Sequence, residues 1–538
     1  MRRFYAFLVF FLLLYSPAGA QSPTIEPLLP PDTMKTTDHG DKLSLMSKVY
    51  VQSFRFMGNT IFSSTELGGI AAPYEKREIN IEELERLREE LSLYYINKGY
   101  LNSGVLISDQ KLENGIITLA VIEGSLNKIE IEGLKHFRDG YISRRLERAA
   151  KPPVNIGRLQ EALQLLQQDA RIKRINAEFK PGAALGEGVL KVAIEETSPY
   201  LVSLNFSNDA APSTGSYRGM LNLAHQNLFG AGDILSAGLG LTEGTKDYNA
   251  SYLIPLHPSD TSLELFFRIG DSMVTESLFK DLDIQSKSDT YGLRVRQPVY
   301  KTFSQELALS LAGEVRQSKT YLLDRPFSFS PGAVDGESKE SVLRFSQEWL
   351  DRTPSTVFAV HSTFSLGITA LGATEHDSEA DGKFFSWLGQ VLLIKRLGES
   401  ASQFVFKTDM QWANDSLLSL EKFSVGGMNS VRGYRKYLLV TDNGLSSSAE
   451  IRMPVLSNEK GIATLQLVPF ADFGWAWNNK TEPSDSRTIY SVGLGLKWQP
   501  LKNVNLDVFY GYGLKEIKDK GNDLQDKGVH FQLTWQVM

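Results

Sequence analysis

The sequence predicts tandem α+β modules followed by an all-β transmembrane barrel of roughly 16 antiparallel strands. Three observations carry this: an N-terminal run with the layout of an export signal, a strand-and-helix pattern that occurs twice, and uninterrupted strand alternation from residue 199 to the end.

The 538 residues exceed what one ordinary domain needs. Arg2 and Arg3 are followed by an apolar run over 4–15 and by Ala18-Gly19-Ala20, so 1–20 are assigned as a secretory signal. A spanning helix needs about 20 apolar residues. The first run is shorter and no second one follows, which leaves a mature chain that is either soluble in an export compartment or crosses a membrane as strands. With 0 cysteines, disulfide scaffolds, thiolate metal sites and cysteine nucleophiles are excluded. Fifty-seven basic against 63 acidic residues leave a net charge of -6, which argues against nucleic acid as a partner.

Residues 21–48 carry Pro23, Pro27, Pro30 and Pro31 without apolar periodicity, and are expected to form an extended tether or a segment lying in a pore. The first α+β module is assigned to 49–124 and the second to 125–198. In the first, a strand ending Phe54-Arg55-Phe56 runs into Gly58-Asn59-Thr60-Ile61-Phe62; in the second, Ile129-Glu130-Ile131 runs into Gly133-Leu134-Lys135-His136-Phe137. The offset is roughly 75 positions. A helix follows each time: Asn80 caps the first with Glu83 three residues on, Leu84, Leu87 and Leu91 share a face, and Gly99 ends it. Leu159, Ala162, Leu166 and Ala170 take that part in the second. Both modules close on a similar strand, over 115–123 and 188–195.

From 199 to 538, stretches of about ten residues alternate apolar with polar. Leu263, Leu265, Phe267 and Ile269 interleave with Glu264, Phe266 and Arg268; Val504, Leu506, Val508 and Tyr510 interleave with Asn505, Asp507 and Phe509. A soluble sandwich also alternates, but with shorter strands. The export signal, the length of the strand region and the tryptophans near stretch ends (Trp387, Trp412, Trp475, Trp498, Trp535) favour a membrane barrel. In hydrocarbon every backbone N–H and C=O needs an internal partner, so the sheet must close, with 529–538 sealing against the first strand.

No catalytic site, cofactor or metal is expected: the seven histidines are scattered, and neither a phosphate loop nor a nucleophile elbow occurs. Gly270-Asp271-Ser272 faintly matches a hydrolase block, but it follows a membrane-strand pattern and is assigned to a turn. The most distinctive stretch is 423–434, which contains Val431-Arg432-Gly433-Tyr434. Its glycines suit a tight loop, and Arg432 presents a planar fork of donors suited to a carboxylate. Asp472 lies in Phe470-Ala471-Asp472-Phe473-Gly474, and its parity opposes that of Pro469, Ala471, Phe473 and Trp475, which turns it toward a lumen. Two readings remain from spacing alone. Either Arg432 sits in a solvated surface turn, or an inward loop is pinned by an Arg432–Asp472 pair.

These motifs resemble the two-partner secretion transporters of the outer membrane, the TpsB type with the ShlB/FhaC/HecB members, within the superfamily that includes barrel-assembly proteins. Val431-Arg432-Gly433-Tyr434 matches that family's inward sixth-loop signature, Phe470-x-Asp472-x-Gly474 its barrel-wall partner, and Asn227-Leu228-Phe229-Gly230-Ala231-Gly232-Asp233 the superfamily's first barrel hairpin. The tandem modules resemble its polypeptide-transport-associated (POTRA) domains. The resemblance implies a pore in the outer membrane of a Gram-negative-type bacterium, with POTRA domains in the periplasm that recognise an unfolded exoprotein of haemolysin or adhesin type. Its implied partners are that secreted client with an N-terminal secretion domain, outer-membrane lipid, and the barrel-assembly machinery during biogenesis, with no nucleic acid and no nucleotide. A barrel assembly factor of the same superfamily is the alternative, then a passive porin or receptor. Two departures stand out: the prolines of 21–48 argue against the family's pore-plugging helix, and Met538 replaces the usual terminal aromatic.

Overall fold

A computed structural model describes residues 42–43, 46–376, 380–398, 401–458, 461–480, 487–517 and 521–537. The expected signal, 1–20, lies outside them, as does 21–41 of the expected tether. Two compact units emerge: Met1–Glu130 with Ala150–Arg158 and Glu178–Lys191, and Ile131–Ala149 with Leu159–Ala177 and Val192–Met538.

No helix among the described residues is long and apolar enough to cross a membrane. In the second unit sixteen strands close into an antiparallel barrel from Tyr200–Ser207 to Val529–Gln536. The two-residue strand Arg325–Pro326 is an appendage on the end of Gln305–Leu322. Alternation sorts the side chains as the pleat requires. Leu265, Phe267, Leu311 and Tyr510 are exposed on the outer face, whereas Phe266, Ala308, Ser310, Ala312 and Phe509 are buried toward the lumen. The last strand meets the first over a short seam, with 532–536 pairing 203–207. Beyond the seam the Asn208 amide still donates to the Phe531 carbonyl at 3.2 Å and its carboxamide extends the ladder: Nδ2 donates to the Val529 carbonyl at 2.9 Å and Oδ1 accepts from the Phe531 amide at 2.8 Å. Ser272, expected in a turn, instead lies within the strand Ser262–Met273, because the alternation runs on through Gly270. The longest strands reach 18 residues, well past the ten expected, since barrel strands continue beyond the apolar band into the loops.

The first unit is built around a helix, Ile81–Asn97. Asn80 and Glu83 form a reciprocal capping box, with bonds of 2.9 and 3.1 Å. The helix buries Leu84, Leu87, Leu91 and Tyr95 with Ile117 and Leu119 of the strand Ile116–Ile122 and with Leu43, so the described end of the expected tether joins this core. Ile116–Ile122 is the central strand of a sheet, flanked by Ser53–Met57 and Gly104–Leu106. The second module carries the three-stranded order Ser125–Glu132, Glu187–Glu196, Ile172–Pro181, with helices Asp139–Ala149 and Ile156–Gln167. The latter helix ends before Ala170, so only Leu159, Ala162 and Leu166 of the expected face belong to it.

The internal repeat has a physical content beyond its pattern. Gly58 (φ +93°) and Gly133 (φ +86°) adopt the left-handed region, and a Cβ on either would sit 2.4 and 2.2 Å from the carbonyls of Val121 and Ile194 respectively. Each glycine launches a loop whose amides converge on one glutamate at the end of the closing strand. Thr60 and Ile61 donate to Glu123 at 2.7 and 2.9 Å; Lys135, His136 and Phe137 donate to Glu196 at 2.9, 2.8 and 3.1 Å.

Burial works to raise the Glu123 carboxyl, but the donors from the Thr60 side chain, the Ile61 and Thr60 amides and Tyr95 outweigh it and hold it below the ordinary carboxylate range. A depressed carboxylate contributes stability above its unfolded pKa and loses it as pH falls through the folded value. In the full-length protein, Glu123→Gln is therefore expected to speed hydrogen exchange at Thr60 and Ile61 at neutral pH, and the difference from the parent should shrink to nothing in acid. An equal difference at both pH values would contradict this account.

Candidate functional site: an inward hairpin and a module-to-barrel joint

Between the strands Gln403–Ala413 and Asn443–Ser457, residues 414–442 form a long loop that contains a small hairpin, Phe423–Val425 paired with Leu439–Thr441. The hairpin is apolar where it packs: Phe423, Val425, Val431, Tyr434 and Leu439 form a buried cluster with Ala476 and Ile489 of the wall. Its two feet are held together by Gln411, whose Nε2 donates to the carbonyls of Glu421 and Asp442 at 2.9 and 3.0 Å.

At the tip, Arg432 is only 4% exposed. Its Nε and Nη2 reach the two oxygens of Asp472 at 2.8 and 2.7 Å, its backbone amide donates to the same carboxylate at 2.9 Å, and Nη1 reaches Glu450 at 3.0 Å. Ser448 Oγ accepts from Nη2 at 2.8 Å. The guanidinium lies 3.6 Å above the Phe470 ring centroid and 4.9 Å from that of Phe509. Planarity makes this possible: a forked cation can pair edge-on with carboxylates while its face stacks on an aromatic ring. Glu450 is shared with Arg452, at 2.7 Å, so one wall carboxylate bridges two guanidiniums.

The remaining motif residues make room or close the contact. A Cβ at Gly474 would stand 2.4 Å from Val425 Cγ1 and 2.9 Å from Val431 Cγ2, so the hairpin packs onto bare backbone there. Gly433 (φ +91°) approaches Gly511, whose carbonyl oxygen a Cβ would meet at 2.7 Å, and its amide donates to His530 Nε2 at 3.0 Å. The Tyr434 hydroxyl lies 3.0 Å from the Tyr490 carbonyl and accepts from the Lys515 amide at 3.0 Å. Val431-Arg432-Gly433-Tyr434 and Phe470, Asp472 and Gly474 are thus one constellation.

Asn227, Leu228, Phe229, Gly230 and Gly232 sit elsewhere, on the turn between the strands Arg218–His225 and Ile234–Leu241. Asn227 Oδ1 accepts from the Gly232 amide at 2.9 Å and the Asp233 carboxylate accepts from Phe229 N at 3.0 Å, which shapes the turn. Leu228 and Phe229 are exposed. The glycines form a docking platform within this unit. Gly230 O accepts from Arg138 N at 2.8 Å, Gly232 O accepts from Arg171 Nη1 at 2.5 Å, and a Cβ at Gly232 would lie 2.2 Å from the Tyr141 ring. Arg171 also pairs with Asp169 at 2.7 Å, and Arg145 stacks 3.8 Å over Tyr141 while reaching Asp260 at 2.9 Å. Burial pushes the Asp169 carboxyl upward, but Arg171 overrides it and holds the group below its ordinary range.

The sequence reading missed Glu450, Phe509 and His530 at the hairpin, and Tyr141, Asp169 and Arg171 at the joint. The lumen parity of Glu450 and the aromatic Phe509 on a polar face were visible signals; nothing local marks the others.

A model of the family described as haemolysin secretion/activation protein ShlB/FhaC/HecB matches residues 186–498, and a model of the ShlB-type POTRA domain matches residues 49–124. The chain belongs to this family. It is an outer-membrane transporter of two-partner secretion, with a POTRA-like region in the periplasm and a β-barrel in the membrane. Among its relatives, the outer membrane transporter CdiB of Dickeya dadantii (strain 3937) is 24% identical over 473 residues, spanning 83% of this chain and 79% of the relative. The hemolysin transporter protein ShlB of Serratia marcescens is 24% identical over 494 residues, spanning 86% and 81%. The solved structure of CdiB from Escherichia coli shares the fold, with a TM-score of 0.68, 19% identity, and coverage of 95% of this chain and 94% of that one. With the POTRA-like region in the periplasm, the up-and-down strand order puts the turn at 226–233 at the periplasmic end of the barrel and the loop 414–442 at the opposite end.

Gly474→Val should leave the barrel folded, judged by heat-modifiable migration on gels, but displace the hairpin and raise its cleavage by protease added outside the cell. Unchanged protection would mean that the close packing at Gly474 is dispensable.

Proposed function

We propose that the periplasmic modules capture an unfolded exoprotein carrying an N-terminal secretion domain and pass it through the barrel, with the inward hairpin as the lock that keeps the lumen ordered. Edges of the module sheets suit an extended client, because strand addition supplies main-chain hydrogen bonds without requiring one sequence. The client on this reading is of haemolysin or adhesin type and folds at the cell surface, which makes the transfer directional without a nucleotide. No catalytic step or cofactor enters. The barrel reaches the membrane through the barrel-assembly machinery, and its outer apolar band, with Leu265, Phe267 and Leu311, is solvated by lipid.

The observation that carries the reading is the seat of Arg432: a fully desolvated fork between Asp472 and Glu450, on a segment folded into the barrel. The resemblance of Asn227, Leu228, Phe229, Gly230 and Gly232 to the superfamily's first hairpin adds a role at the other end, in which the joint with Tyr141 and Arg171 aligns the second module with the pore.

Removing one partner of a buried ion pair costs about 3–5 kcal/mol, because the other is left desolvated and unpaired. Arg432→Ala is expected to cut exoprotein release into the medium at least about tenfold, while the barrel is still inserted and heat-modifiable. Release at the parental level would overturn the lock.

A further inference from the structure

The foot of the hairpin carries a second buried charge cluster, of opposite polarity to the tip. At the tip the loop supplies the cation and the wall the anions. At the foot the loop supplies an anion, Glu421, and the wall two cations: Arg316 on Gln305–Leu322 and Arg344 on Glu337–Arg352. Arg344 grips Glu421 in bidentate fashion, Nη2 to Oε1 at 2.6 Å and Nη1 to Oε2 at 3.1 Å, and Arg316 donates to the same Oε1. Around the wall, the strands Thr356–Ile368, Phe385–Arg396 and Gln403–Ala413 lie between Arg344 and the strand of Glu450, so foot and tip are fastened to different sectors. The neighbouring Lys422 turns away to Asp442 at 3.0 Å and does not neutralise Glu421.

The wall also holds more carboxylate than it uses. Glu314 engages Arg344 Nε at 3.2 Å, whereas Glu340, fully buried, has neither oxygen hydrogen-bonded and stands 3.9 Å from Arg316 Nη1. With the hairpin in place, three carboxylates face two guanidiniums. Without Glu421, Glu314 and Glu340 match Arg344 and Arg316 one to one. A buried carboxyl without donors is costly, and it gains a partner once Arg316 is released from Glu421.

We propose that Glu421 is a releasable second latch for the inward hairpin, and that Glu340 is the wall's substitute partner, ready to take Arg316 when Glu421 leaves. Both are positioning residues. Glu421 holds the hairpin in, and Glu340 lowers the cost of letting it out, so the wall is charge-balanced with the hairpin withdrawn. The inference rests on the hairpin being the element held in the lumen, but its test reads the hairpin's position and not secretion.

The chain has 0 cysteines, so a single Ser424→Cys places one thiol on the hairpin. Its labelling by a membrane-impermeant maleimide added to intact cells reports how often the hairpin is displaced. Against that background, Glu421→Gln should label about tenfold faster and Glu340→Gln several-fold slower, two isosteric changes with opposite signs. A merely structural role would make both faster. Equal rates in all three proteins, or faster labelling in Glu340→Gln, would overturn the proposal. Should Glu421→Gln fail to assemble, Glu340→Gln decides alone, slower labelling supporting the latch and any other rate refuting it. Secretion lost in Arg432→Ala while these rates stay equal would remove the second latch and leave the first intact.

Discussion

A backbone in hydrocarbon has no water to bond, and that constraint shapes everything beyond residue 199. It forces the sheet to close, and closure creates an inside. Because side chains alternate across each strand, the same residues that grease the outer face oblige their neighbours to line a lumen. That lumen is not left open: it receives a loop from its own chain, and a loop inside a barrel must be held by something stronger than apolar contact if it is to keep one position in a polar surrounding. The buried ion pairs at Arg432 answer that need. The closing seam shows the constraint at its weakest point, where strand pairing is short and the Asn208 carboxamide completes a ladder that backbone alone does not.

Charge placement gives the hairpin its register. The tip cation fits only where Asp472, Glu450 and the ring of Phe470 converge, and the foot anion fits only beside Arg316 and Arg344. A slip of the hairpin would bring like charges together at one end or strand a desolvated charge at the other, either of which is strongly unfavourable. The motif residues without charge serve the same geometry: Gly474 and Gly433 remove side chains where two backbones must nearly touch. At the periplasmic end the glycines of the 227–233 turn do likewise for the rings and guanidiniums of the second module. Glycine at close approach is the device shared by the two ends of the barrel.

The first module and the second use one solution to a local problem. A left-handed glycine turns the chain, the amides of the following loop point inward, and a glutamate at the end of the closing strand collects them. Spacing made the repeat legible, since the glycine and the closing strand recur at similar intervals. The glutamates themselves were not singled out, because a Glu ending a strand carries no sign that its oxygens will serve amides some 60 residues earlier.

What the sequence determined by itself is periodic or local. Alternation fixes which face of a strand meets lipid, Asn80 and Glu83 start a helix within one turn, and the parity of Asp472 turns its side chain inward, all through neighbours two to four residues away. Only the tertiary structure decided which inward carboxylate meets which loop cation, that Phe509 on a polar face serves Arg432, that Glu421 and Glu340 compete for the same arginines, and that Tyr141 and Arg171 seat on Gly232. Those contacts join segments tens to hundreds of residues apart, and their partners are selected by barrel closure and register. No local spacing encodes them, because the distance between two positions on a closed sheet depends on every strand that lies between.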